Sequence, residues 1–137
     1  MRKLISVAAA LAIGALIAVS ITKADEKEEE KDKKPMSVHD IMEKGFKGSK
    51  ALYRKIISTK KEPTKEEKEE FLSMMKDMAK NKPPKGDEEA WKEKTKALVE
   101  PTEKIVKGED VKEAIKELKK AASCAKCHKE HKPDKDE

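Results

Sequence analysis

Cys124, Cys127 and His128 stand together as C-A-K-C-H near the C-terminal end of the chain. On a helix, two thiols three positions apart lie on one side, within reach of the two vinyl groups along one porphyrin edge. The adjacent imidazole can then ligate the iron from below the ring. This chemistry is covalent haem attachment, with Cys124 and Cys127 forming the thioethers and His128 the proximal ligand of one haem c. Two other uses of these residues are weaker. A zinc module drawn from Cys124, Cys127, His128 and His131 needs four donors in tetrahedral reach, yet all four crowd into one short helical stretch. A dithiol redox site would want βαβ surroundings, and the chain has none.

Composition limits what can position such a group. Charged residues make up 45% of the chain and aromatics 3%, while glycine and proline are sparse. Lysine, glutamate, alanine, leucine and methionine favour helix. The apolar inventory supports one small domain, so a buried porphyrin would supply much of its interior and the haem-free protein is expected to be loosely packed. The net charge of +5 includes Arg2, Lys3 and Lys23. The rest interleaves both signs, which is a solvated surface and no nucleic-acid footprint.

Met1-Arg2-Lys3 followed by the apolar run Leu4 to Ile21 and Thr22-Lys23-Ala24 has the form of an export signal over 1–24. Its run also just reaches membrane-spanning length, so membrane association is expected only if the leader is retained. In either case the domain lies outside the cytoplasm, as a periplasmic protein. Residues 25–36 read as a charged, flexible spacer, 37–132 as the folded domain and 133–137 as a charged tail.

Four helices are expected between Ser37 and His131. Ser37 with Asp40 opens the first, and Val38, Ile41, Met42, Phe46, Leu52, Tyr53, Ile56 and Ile57 form its apolar stripe. Gly45 and Gly48 interrupt that stripe and would let a flat ring lie close to the backbone. Thr64 with Glu67 caps the second, whose inner face is Phe71, Leu72, Met74, Met75, Met78 and Ala79; the run Asn81 to Gly86 stops it. Asp87 caps the third, which carries Trp91 and is expected to kink or split at Pro101 before ending at Gly108. Asp110 caps the fourth, which is expected to run through Ala122 and Ala125 into the C-x-x-C-H motif.

Short connections between four helices imply an all-α, antiparallel, up-down-up-down bundle with one covalent haem. In that topology the start of helix one, the end of helix two, the start of helix three and the end of helix four share a pole. Met42, Met75, Met78 and Trp91 are therefore expected beside Cys124, Cys127 and His128. Trp91 is a candidate pocket wall, and Lys82, Lys85 and Lys132 are candidate partners for haem propionates.

With these stretches in view, the chain resembles the class II c-type cytochromes, the cytochrome c′ and cytochrome c-556 family. The likeness rests on the single C-x-x-C-H in the last of four helices, on Asp40-Ile41-Met42, on Asn81 to Asp87 with Trp91-Lys92, and on Cys124 to Lys132. It extends over roughly Ser37 to Lys132, with a small exported monohaem branch the nearest in pattern. Members of the family usually carry an aromatic and then a basic residue three and four positions beyond the haem histidine; here His131 and Lys132 stand there.

The resemblance implies no enzyme but a carrier of single electrons among redox partner proteins, as a monomer or a homodimer. It also implies a sixth ligand in helix one, which makes Met42 the leading candidate; His39, Met36 and a methionine of helix two are rivals. A thioether there suits electron transfer, whereas an open position suits nitric oxide or carbon monoxide, as in cytochrome c′. No distal acid–base pair for peroxide chemistry is evident.

Overall fold

The computed structural model describes residues 34–133, so the leader, the spacer through residue 33 and residues 134–137 lie outside the described residues. All regular structure within this range is helical. No described helix is long and apolar enough to cross a membrane.

The Ser37 hydroxyl accepts the Asp40 amide at 3.1 Å and opens α1 (Val38–Ile41), which widens into a π-helical turn over Met42–Phe46. The single first helix expected here is broken. Lys47 is extended, Gly48 takes φ +86°, and the chain resumes as α2 (Leu52–Ile56). The left-handed conformation at Gly48 is open to glycine at no steric cost, and it turns the chain instead of extending the helix. The apolar stripe survives the break: Ile41, Leu52 and Ile56 are buried, with Met42, Phe46, Tyr53 and Ile57 partly so.

Thr64 and Glu67 form a reciprocal capping box, with Glu67 N–H donating to the Thr64 hydroxyl (3.2 Å) and Thr64 N–H donating to the Glu67 carboxylate (3.1 Å). It starts α3 (Lys65–Lys80), whose Phe71, Met74, Met75 and Met78 are buried. Phe46, Tyr53 and Phe71 pack as an aromatic cluster with centroids 5.3, 5.8 and 6.3 Å apart, and this seats the α1–α2 region on α3.

Asp87 accepts the Ala90 amide at 2.8 Å and opens α4 (Glu88–Lys107). Of the kink or split expected at Pro101, the split does not occur, and α4 runs unbroken through it. The proline forfeits one backbone donor, but its ring is buried, and the Thr102 hydroxyl donates to the Leu98 carbonyl at 2.7 Å just beside it. Burial of that face holds the helix together through the missing bond. Asp110 precedes α5 (Val111–Ala121) in a left-handed conformation, φ +40°, and its side chain makes no capping bond.

The last helix also differs from expectation. It stops at Ala121, and Cys124–His131 forms a separate α6 after Ala122 and an extended Ser123. Ala125 consequently points to solvent. The break uncouples the direction of the C-x-x-C-H turn from that of α5. Helices α3 and α4 pack against each other, α5 packs on α4, and α1 and α2 lie on α3.

Candidate functional site

One cavity of about 370 Å³ collects residues from five parts of the chain. His39, Met42, Glu43 and Phe46 come from α1 and the π turn, and Met78 from the end of α3. Lys94 and Leu98 come from the middle of α4, Ala121 from the end of α5, and Cys124, Cys127 and His128 from α6. The volume lies in the range of small-molecule and cofactor sites, and the walls are chiefly the apolar groups of Met42, Phe46, Met78, Leu98 and Ala121. Both cysteines are free thiols, Cys124 exposed and Cys127 half-buried. Burial pushes the Cys127 thiol up, against the opposing pull of the Lys94 ammonium.

Met42 is half-buried in this wall and His39, a turn earlier on the same helix, stands at the solvent side with its side chain 80% exposed. Both rivals for an iron ligand thus share the cavity. Met36 does not: it packs on the core, its backbone tied to α3 by donation to Asp77 (3.0 Å) and acceptance from Asn81 (2.7 Å). Met75 is fully buried and outside the lining, whereas Met78 is part of it. Gly45 faces α3, where an added Cβ would stand 3.5 Å from Met74 Sδ, and Gly48 meets nothing within 4 Å. Neither glycine makes a seat for a ring.

Trp91 and Lys132 also lie outside the cavity lining. Trp91 is buried and donates from Nε1 to the Asn81 carbonyl at 2.9 Å. Its ring meets His131, which is only 3% exposed. The Lys85 carbonyl lies 2.9 Å from His131 Nδ1; because a carbonyl can only accept, Nδ1 is the donor in this bond. His131 is thus directed to the α3–α4 loop while His128 and the two thiols line the cavity. The four donors of a zinc module are divided between two surroundings, and no group of three His, Cys, Asp or Glu able to hold a metal occurs among the described residues.

Lys94 and Lys47 are the cations that the cavity lining contains, in place of the expected Lys82, Lys85 and Lys132. Lys94, with its side chain 30% exposed, pairs with Glu130 of α6, and hydrogen bonding from Lys94 holds that carboxylate below its usual range. Lys47 pairs with Glu43 at 3.0 Å. In a lysine-rich sequence neither stands out; only the turn of α4 that carries both Trp91 and Lys94 hints that one residue is inside and the other at the rim. No protein-family model, curated protein or solved structure matches the chain.

Proposed function

We propose that this chain is an exported monohaem c-type cytochrome of the antiparallel four-helix, class II kind, which carries single electrons between redox partner proteins. The observation that carries the reading is the convergence of Cys124, Cys127, His128 and Met42 on one apolar-walled cavity. The donor set fits the group: two thiols that would form the thioethers, and an imidazole and a thioether sulfur that would ligate the iron. Haem held there would supply a reversible one-electron iron couple.

The protein's own contribution is to hold and to exclude. The thiols would fix the group to α6, and the Lys94–Glu130 pair ties α6 to α4. Met42, Phe46, Met78 and Leu98 would keep water from the bound group, which would favour its less charged oxidation state. Lys94 and Lys47, the lysines of the lining, would meet propionates by exchanging their glutamate partners, Glu130 and Glu43.

Optical spectra of the loaded protein in both oxidation states test this reading. A six-coordinate low-spin spectrum, with a far-red methionine-to-iron charge-transfer band in the ferric form, is expected. A high-spin ferric spectrum with ready carbon monoxide binding to the ferrous form would replace electron transfer by gas binding as the function.

A further inference from the structure

A second depression, of about 570 Å³, adjoins the cavity; Phe46 and Cys124 line both. Half-buried Phe46 and Tyr53 give it an aromatic floor, and exposed Arg54, Lys60 and Lys119 stand around it. No carboxylate lines it. Burial, and then the nearby Cys124, push the Tyr53 hydroxyl up, so its ring stays neutral through physiological pH.

Some lysines of the described surface are paired with a glutamate and others are not; the rim of this depression belongs to the second group, and its lining holds no carboxylate. Lys47, Lys65, Lys76, Lys92, Lys96, Lys104 and Lys116 each pair with a glutamate. No ion pair with a described residue is formed by Arg54, Lys60 or Lys119. On its other side Arg54 borders Glu62 and Glu67, but those carboxylates are engaged by Lys68 (3.4 Å) and Lys55 (2.5 Å). A local cluster of uncompensated charge attracts and orients an opposite surface. An aromatic floor with a charged rim is also the make-up of a small, transient interface.

We propose that this depression docks an acidic surface of a redox partner protein, seating it against Cys124 at the edge of the cofactor cavity. The partner's redox character rests on the electron-carrier reading above; the acidic chemistry rests on the rim itself.

The test is an NMR titration of the isotope-labelled, haem-loaded full chain with an octa-aspartate peptide at low ionic strength. Amide shifts centred on Arg54, Lys60 and Lys119 are expected. R54E/K119E should weaken binding at least about tenfold. K107E/K112E, with the same change in net charge at the α4–α5 turn, should weaken it less than about threefold. Equal weakening by the two variants, or shifts centred elsewhere, would overturn the proposal. A full-length E28Q/E29Q/E30Q variant that binds the peptide about tenfold more tightly would also overturn it, by assigning the depression to the chain's own acidic spacer. Haem staining of the same samples separates the two ideas. Stained protein without localised binding removes the docking surface alone, and unstained protein removes the electron-carrier reading.

Discussion

The imidazole of His131 meets the indole of Trp91 edge to face, with ring centroids 5.2 Å apart and planes at 77°. Each ring also bonds to a carbonyl of the α3–α4 loop: Trp91 to Asn81 and His131 to Lys85, both at 2.9 Å. The pair therefore grips one loop from two helices and fixes α6 one turn beyond His128. His131→Ala removes a buried ring and a hydrogen bond, at an expected cost of about 2–4 kcal/mol in urea unfolding. His131→Phe should recover part of this through packing, while leaving the Lys85 carbonyl unpaired. An alanine variant as stable as the parent would show that the clamp is not structural.

The same loop touches α6 at Gly86. This residue has φ +87°, and a Cβ there would lie 2.6 Å from the Glu130 carbonyl oxygen and 3.2 Å from His131 Nδ1. Gly48 has nearly the same φ, +86°, but nothing within 4 Å. Alanine at position 48 should cost only the left-handed backbone penalty, about 1–2 kcal/mol. Alanine at 86 should cost at least about 1 kcal/mol more, because loop and helix must separate. Equal losses in thermal unfolding would show that the contact yields freely.

Met42 and His39 share the cavity at different depths, Met42 half-buried and His39 mostly exposed. A buried thioether avoids competition from water, so Met42→Ala should abolish the far-red charge-transfer band while His39→Ala leaves it intact. The reverse pattern would transfer the sixth position to His39.

Glu67 closes the α3 capping box and meets Lys55. Hydrogen bonding from Lys55, then from the Thr64 amide, lowers its carboxyl below the usual 4.5. A depressed carboxyl adds stability above its unfolded-state value and loses it as pH falls through the folded one. Glu67→Gln should therefore flatten the loss of stability below about pH 4.5. An acid limb of unchanged slope in the variant would mean that Glu67 contributes nothing there.

Local chemistry was legible where one side chain answers one backbone group. The caps at Ser37, Thr64 and Asp87 form because hydroxyls and carboxylates satisfy the free amides of a first turn. The apolar stripe of the first helix was legible as a face, but not as two helices. Apolar periodicity marks which side is buried and says little about whether the backbone runs straight between the marked residues. Pro101 did not split α4 for the converse reason: a buried ring and the packed face around it outweigh one missing hydrogen bond. The separation of α6 from α5 falls at Ala122 and Ser123; serine suits an N-cap, but its side chain makes no capping bond here and the apolar pattern runs on past it. His131 read as a weak zinc donor and as a departure from the family's aromatic position, not as a core residue, since its burial depends on Trp91 and Lys85, which are distant in sequence. Within the site, the motif supplied Cys124, Cys127 and His128, and helix order placed Met42 near them. Lys94 emerged only when α4 was seen to present it to the cavity.

Covalent haem on Cys124 and Cys127 is the central claim, and peroxidase staining after denaturing electrophoresis tests it most directly. Chain produced with export and haem-attachment machinery should give a stained band at its own mass, lost in the Cys124→Ala/Cys127→Ala variant. An unstained parent band, or a stain that survives loss of both cysteines, would contradict it.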